Sequence, residues 1–493
     1  MAEYDLAIIG GGINGAGLAR DAAGRGLRVL LCEQTDLASG TSSASTKLIH
    51  GGLRYLEYGE LRLVREALAE RERLLRIAPH LVRPQRLVLP VRPGGRPAWV
   101  LRLGLFLYDR LGGRGILPGT QRLDLTHHET GLPLQRKYRS GFAFSDCSVD
   151  DARLVVLNAL DAAERGAAIR TRTKVVRAER DTEWRLILNN QGRRHVATAR
   201  VLVNAAGPWS GIVSETIVRQ DGRPPLRLVK GSHIVVRKLF DHSNGYVLQN
   251  DDGRVIFALP FGTDCTLIGT TDEDFADDLD ALAPSAHEIL YLCRAVTSYF
   301  RQAVTPEDVI WAFSGVRSLY DDGARRAQAV TRDYHLSLDE RFREAPLLTI
   351  YGGKITTYRR LAEAAMAKLS HCFDMRGKAW TGDAPLPGGD VPWNGIDALA
   401  AQARRDWPFL DEAAAQRLVR AYGTRLARVL GEGQSSAREP PFGPLSASEV
   451  RYLMRYEWAR TADDVLWRRT RLGLTLNTDQ REALARFMAN ETI

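Results

Sequence analysis

Three glycines near the start of the chain, Gly10, Gly12 and Gly15, have the spacing that brings backbone amides against a dinucleotide pyrophosphate. They follow the short apolar run 6–9 and open an Ala- and Gly-rich segment, 14–24, so they stand at a strand-to-helix turn. Gly10 permits the tight turn, Gly12 lets the backbone approach the pyrophosphate, and Gly15 lets helix and strand pack closely. The unpaired N–H groups of the helix start, with Asn14 among its first residues, supply partial positive charge to the phosphates. A second apolar run, 27–32, leads into Glu33, an acid placed to hydrogen-bond ribose hydroxyls and to repel a 2′-phosphate. NADP is therefore disfavoured. The motif alone does not separate FAD from NAD.

Other chemistry-bearing residues follow glycine-rich punctuation. Arg54 lies two residues after Gly51-Gly52, and Arg317 follows a Ser-Gly-Val turn at 314–316. A guanidinium fork matches phosphate oxygens and also a carboxylate, and two forks roughly neutralise a dianion. His233 follows Gly231-Ser232 into an apolar run. Its unperturbed pKa of about 6.5 suits a group that takes a proton at neutral pH. Lys354 follows Gly352-Gly353 and precedes a helix start. Burial beside two arginines would depress its pKa and make it the alternative proton acceptor.

These residues need a scaffold of strands that end at turns. The runs 6–9 and 27–32 with the helix between them form a β-α-β unit. Leucines and charges at helical spacing mark 61–77, closed by Pro79. The middle of the chain carries strand signals at 168–178, 184–189, 200–204, 233–236, 255–259 and 266–269, and one more at 347–351 breaks at Gly352-Gly353 and leads into a helix near Ile355. Composition shifts at the Pro/Gly-rich stretch 381–395, a linker. Beyond it almost every periodic segment is helical, with a second loop at 431–444. The expected division is an interleaved part at 1–380, the linker, and a helical cap at 396–493.

At 493 residues the chain is long enough for two or three domains. Hydrophobic content of 44% with 26% charged residues describes an ordinary globular protein and excludes disorder. The net charge of +9 suits an anionic substrate or an anionic membrane surface. No basic repeat, zinc spacing or aromatic-studded basic strand supports nucleic acid as a partner. Five scattered cysteines without a CxxC pair argue against a disulfide framework and against a structural metal site, and fit a reducing cytoplasm. The chain enters its first strand almost at once, so no signal peptide is expected. Its longest uncharged apolar stretch near a basic face, 103–108, is far too short to span a bilayer. Residues 92–114 mix Trp, Phe, Tyr and Leu with Arg at spacings that suit an amphipathic interfacial helix; the same stripe also suits a helix packed on a core.

The segment 41–57, TSSASTKLIHGGLRYLE, resembles the aerobic, FAD-dependent glycerol-3-phosphate dehydrogenase family. The likeness continues through SDCSVDDAR at 145–153, NAAGPW at 204–209, KGSH at 230–233, IGTTD at 268–272, SGVR at 314–317, GGKITTYR at 352–359 and ADDVLWRRT at 462–470. It implies an α/β fold: an N-terminal Rossmann-like, glutathione-reductase-type FAD domain interleaved with a β-rich substrate domain, then a C-terminal helical cap. It also implies oxidation of glycerol 3-phosphate, noncovalent FAD, a quinone acceptor and peripheral attachment to the cytoplasmic face of the cell membrane. A homodimer is compatible with it, and the oligomeric state stays open.

Under that resemblance Arg54 and Arg317 clamp the substrate phosphate, with Tyr55 and Thr270 beside it. His233 or Lys354 receives the hydroxyl proton. Ser42, Ser43, Lys47 and Leu48 belong to the segment that runs beside the cofactor, and Ala206 and Gly207 form a second close-approach turn. Thr356 and Thr357, at the helix start after Lys354, face the flavin pyrimidine oxygens, where reduction places negative charge. His50 reads as a neighbour of the site. Rival readings are an oxidase that uses O2, an amine or amino-acid oxidase on the same fold, and a non-enzymatic FAD-binding or tRNA-modifying protein.

Overall fold

The computed structural model describes residues 2–113, 115–219, 226–321, 333–374, 377–431 and 442–491. The first apolar run forms the strand Tyr4–Ile9, whose last four residues are buried. It lies at the centre of a sheet, parallel to Val29–Cys32 on one side and to Arg193–Asn204 on the other. Ala168–Arg170 and Leu347–Tyr351 extend the parallel order at either end, and His335–Asp339 adds an antiparallel edge. Strands covered on both faces carry unbroken apolar runs rather than alternation, which is why 6–9 and 29–32 were readable as buried strands.

Helices Ile13–Gly24, Asp151–Glu164 and Tyr358–Lys368 pack together on one face of this sheet, where Ile8, Ala16, Leu154 and Leu361 share a core. The opposite face buries Ala7, Leu30, Trp184 and Leu202. The run 168–178, expected as one strand, is two: Ala168–Arg170 pairs with Val29–Cys32, while Thr173–Arg180 pairs with Trp184–Asn190. Between them Arg172 takes φ +52°, a left-handed backbone that ends the first pairing.

A second, ten-stranded sheet is drawn from 48–149 and 226–320, between the chain segments that build the first. Its long members are Val82–Pro90, Ser140–Val149, Leu226–Arg237 and Val309–Tyr320. Three of these escape a periodicity reading. Val82–Pro90 has Arg83, Pro84, Gln85 and Arg86 in its first half, Ser140–Val149 is buried at eight of ten positions and so does not alternate, and Val309–Tyr320 is interrupted by Ser314-Gly315. The Ser-Gly-Val turn expected before Arg317 is instead mid-strand. Gly315 stands opposite Gly231, and a side chain there would press on Ala44, 3.0 Å from a built Cβ. Glycine at 315 admits the 41–46 segment against the sheet.

The last hundred or so residues form helices Ile396–Asp406, Glu412–Tyr422, Leu426–Leu430, Ala447–Tyr456 and Thr478–Asn490 around their own core of Leu418, Leu453, Val465 and Leu484. Of the loop expected at 431–444, residues 432–441 lie outside those described. The stretch 381–395 contains no helix or strand, yet it is tightly held: Leu386 N donates to Ile77 O at 2.8 Å. The helix expected within 92–114 spans Ala98–Leu111, and residue 114 lies outside the described residues. All five cysteines are unpaired.

Candidate active site

A cleft of about 1370 Å³ runs between the two sheets and is closed on one side by the helical cap. That exceeds the roughly 300–1,000 Å³ of an ordinary small-molecule site, so it has room for a dinucleotide and a small substrate together. At one end stands the glycine turn. Gly10 takes φ +113° and abuts the Ala205 carbonyl, 2.6 Å from a built Cβ. A methyl on Gly15 would overlap the Gly10 carbonyl oxygen, so this glycine is demanded by the packing of helix on strand. A methyl on Gly12 would meet only Ser42 Oγ at 3.1 Å, and its other surroundings are cleft.

Ser42 Oγ accepts from Ile13 N at 3.0 Å, which joins the 41–43 segment to the helix start. Asn14 Nδ2 donates to Gly352 O at 3.1 Å and ties that start to the turn before Lys354, while Asn14 Oδ1 is buried without a partner. Glu33 accepts from Gly11 N at 2.7 Å and from Thr35 N at 2.8 Å, and burial raises its pKa. Besides facing the cleft, the acid thus holds the glycine loop to the second strand. Lys47 Nζ is directed at Asp151, 2.9 Å away, and at Ser43 O, 2.7 Å away. That charge is used to fasten the segment. Leu48 is buried in the short strand Leu48–Ile49, Ser43 Oγ donates to Gly40 O at 3.3 Å, and Ala206 and Gly207 begin the turn after the strand that ends at Asn204.

At the other end the cations gather. Arg54 and Tyr55 lie on the 3₁₀ turn Leu53–Tyr58. Arg54 Nη1 is 3.9 Å from Asp272 Oδ2, and Arg317 Nη1 donates to Asp272 Oδ1 at 2.5 Å. Arg317 Nη2 also donates to Thr270 Oγ1 at 3.1 Å. Gly231 leaves room for that fork, since a built Cβ would sit 2.5 Å from Arg317 Nη2. Lys354 Nζ sits 3.8 Å from the centre of the Tyr55 ring. Arg54, Thr270 and Arg317 therefore gather about Asp272, while Tyr55 and Lys354 meet each other on the lining of the same cleft, from four separate parts of the chain. Two guanidinium forks on one carboxylate, with an ammonium on the lining of the same cleft, make this end suited to an anion such as a phosphate.

His233 lines the same cleft, in register with Phe313 and Gly269 on the two neighbouring strands. Its Nε2 shares a 2.9 Å hydrogen bond with Thr46 Oγ1, and its ring stacks on Phe313 with centroids 5.0 Å apart. Burial, then the charges of Arg317 and Lys47, lower its pKa to about 3. This corrects the expectation of a value near 6.5. A dianion held by the arginines would offset part of that charge and raise the value. Thr356 Oγ1 accepts from His50 N at 3.3 Å, and Thr357 N donates to Lys354 O at 3.1 Å.

Sequence reasoning missed Asp272, although it quoted the motif that contains it, because an acid between arginines is recognisable only once both are placed. It also missed Thr46 and the cap residues Asp464, Trp467 and Arg468, which line the cleft.

Residues 5–359 match the FAD dependent oxidoreductase model, and residues 379–491 match the C-terminal domain of alpha-glycerophosphate oxidase. A glycerol-3-phosphate dehydrogenase of Pseudomonas aeruginosa is 50% identical over 492 residues, covering 99% of this chain and 95% of that protein. The aerobic glycerol-3-phosphate dehydrogenase of Escherichia coli is 44% identical, covering 100% and 98%. The chain belongs to the FAD-dependent glycerol-3-phosphate dehydrogenase family.

Within this family a D-erythritol 1-phosphate dehydrogenase of Brucella abortus is also 50% identical, covering 99% of this chain and 98% of that protein. The solved glycerol-3-phosphate dehydrogenase of Bacillus halodurans, complexed with FAD, superposes with a TM-score of 0.80 at 27% identity, over 99% of this chain and 91% of that one. The cofactor is FAD and the chain is an oxidoreductase. The cleft fits the group: a helix start bare of side chains at Gly12, an unpartnered buried Asn14 Oδ1 and an acid at the second strand end suit a dinucleotide.

Proposed function

We propose that this enzyme oxidises sn-glycerol 3-phosphate to dihydroxyacetone phosphate and passes the electrons to a membrane quinone. The observation that carries the substrate is the convergence of Arg54 and Arg317 on Asp272, in the cleft that Lys354 also lines and that holds the dinucleotide cradle. Bound FAD supplies the hydride acceptor. The chain's own residues do the rest. Arg54 and Arg317 grip the phosphate, with Tyr55 and Thr270 beside it, and so fix the distance of the alcohol carbon from the cofactor. The hydroxyl proton leaves to His233 or Lys354; both line the cleft, and a neutral His233 keeps one ring nitrogen able to accept a proton.

On the cofactor side the reading assigns the pyrophosphate to Gly10, Gly12, Asn14 and Gly15, the ribose to Glu33, and the flanking contacts to Ser42, Ser43, Lys47, Leu48, Ala206 and Gly207. Lys354, Thr356 and Thr357 face the flavin end. The division into an interleaved part at 1–380, a linker at 381–395 and a cap at 396–493 belongs to the same reading, and so does a homodimer.

Attachment to the inner face of the cell membrane is supported by the helix Ala98–Leu111. No helix among the described residues is long and apolar enough to cross a membrane. This one buries Leu101, Leu105 and Tyr108 yet exposes Trp99 (69%), Leu103 (52%) and Phe106 (52%) beside Arg102 and Arg110. A core helix has one apolar face; a second, basic-rimmed apolar face suits a lipid interface. The double variant Leu103→Glu/Phe106→Glu should stay in solution where the parent sediments with anionic vesicles, while keeping turnover with a soluble acceptor. Unchanged sedimentation sinks the assignment.

The relative named for D-erythritol 1-phosphate supports a second reading, in which the polyol chain is one carbon longer. Anaerobic mixing with each substrate distinguishes the two. Glycerol 3-phosphate should bleach the flavin with the higher second-order rate constant, and rapid reoxidation should require a quinone analogue rather than O2. Faster bleaching by erythritol 1-phosphate, or fast peroxide formation, overturns the corresponding part.

A further inference from the structure

Outside the residues that line the cleft, Glu340, His371 and Cys372 bring a carboxylate, an imidazole and a thiol within 4.8 Å of one another. Glu340 follows the edge strand His335–Asp339, while His371 and Cys372 form the end of the 3₁₀ turn Ser370–Cys372 beyond the helix Tyr358–Lys368. Glu340 Oε1 bonds to His371 Nε2, and Cys372 Sγ lies 3.5 Å from the same Nε2. A thiol–imidazole–carboxylate relay would place the carboxylate on one ring nitrogen and the thiol on the other. Here both approach a single nitrogen, so the three donors surround one point. One cation in place of the protons between them would keep all three donors within its reach.

The surroundings hold the donors in place. Arg200 Nη2 donates to the Cys372 carbonyl at 2.6 Å, and Arg200 Nη1 is 3.7 Å from Asp5. The donors line a depression of about 490 Å³, with Glu344 adding a second carboxylate and Arg200 and Arg343 adding positive charge. Sulfur and imidazole donors select zinc-class ions over magnesium or calcium.

We propose that Glu340, His371 and Cys372 form a binding site for a zinc-class divalent cation, with solvent completing the coordination. Three protein donors and an open position make the ion exchangeable. Binding displaces the Cys372 proton and forms the sulfur–metal bond with no change of oxidation state. The bound ion would join the loop before Leu347–Tyr351 to the end of Tyr358–Lys368, two elements that flank Lys354.

The experiment uses tag-free, FAD-loaded, full-length protein stripped with chelator and dialysed against Zn²⁺ alone, with metal counted per flavin. One equivalent should bind, and Cys372→Ser, His371→Ala and Glu340→Gln should each weaken binding by at least about tenfold. Cys265→Ser, in a strand outside the cluster, should bind as the parent does. Flavin absorbance reports whether each variant folds. A second measurement needs no variant: saturating Zn²⁺ should slow alkylation of Cys372 at least about tenfold, because a coordinated sulfur is a poorer nucleophile. Failure of the parent to bind, parent-like binding in any of the three variants, or unprotected alkylation overturns the site.

Discussion

Asp272 governs how the two arginines present themselves to an anion, because its carboxylate takes one fork at 2.5 Å and lies 3.9 Å from the other. Removing the Arg317 guanidinium should cost the charge-assisted bonds it makes to a phosphate, about 1.5–3 kcal/mol, or roughly 10–100-fold in kcat/KM. Asp272→Asn should act differently. It removes a negative charge beside the two arginines and loosens Arg317, so KM should fall while kcat drops by about tenfold through looser positioning. Steady-state kinetics separate the two, and a raised KM with unchanged kcat for Asp272→Asn would refute the positioning argument. A second expectation concerns pH. His80 and His233 are buried with pKa values lowered to about 3. The unfolded chain takes up both protons near pH 6.5 and the folded chain does not. Stability is thus unpenalised above about pH 6.5 and falls as pH drops toward 3, by at most about 1.4 kcal/mol per pH unit for each histidine. His80→Leu should flatten the fall in melting temperature between pH 6.5 and 5. The glycine fingerprint and Glu33 were legible in sequence because their roles are local. The lowered pKa of His233 was not, because it depends on strands that arrive from elsewhere.

At the scale of elements, glycines 15 and 207 separate two kinds of constraint. Gly15→Ala drives a methyl into the Gly10 carbonyl, so the helix must shift off the strand and the protein should emerge without flavin. Gly207 has φ +56° but no protein atom within 4 Å of a built Cβ. Gly207→Ala should therefore cost apoprotein stability only about 1 kcal/mol for the left-handed backbone. If the turn is a close approach to the dinucleotide, FAD affinity should fall about tenfold or more. Fluorescence titration of the apoprotein decides this, and undiminished affinity would remove Gly207 from the cofactor set. The helix Ala98–Leu111 joins two roles through one side chain. Tyr108 OH accepts from Gly51 N at 2.7 Å and donates to Asp146, at 2.8 Å, so the surface helix anchors the turn that carries Arg54. The helix itself was readable from its leucine and arginine spacing; that anchor was not.

For the molecule as a whole, the cap is bound to the dinucleotide half by buried charge. Arg469 reaches Asp36 at 2.8 Å, Arg468 reaches it at 2.6 Å, and Glu457 pairs with Arg153. Asp36 lines the cleft, three residues beyond Glu33. Asp36→Asn would leave Arg469, wholly buried, with only the more distant Glu457 carboxylate at 3.9 Å, and should destabilise the protein by up to about 3 kcal/mol. Because Asp36 lines the cleft close to Glu33, the loss in melting temperature should be larger for the apoprotein than with excess FAD. Equal losses in both states would show that the cap and the cofactor loop are uncoupled.

What the amino-acid order determined by itself was whatever a short span of chain can express. The β-α-β start, the glycine turn, the helical character of the last hundred residues and the family motifs all depend on neighbours within a few turns of backbone. Tertiary structure alone decided which charges meet. Lys47 is spent on Asp151, Asp272 stands between arginines from two distant segments, Glu340 meets His371 and Cys372, and the cap closes on Asp36. Pairings of this kind follow from sheet order and register, and those are set when apolar surfaces from the whole chain are buried together.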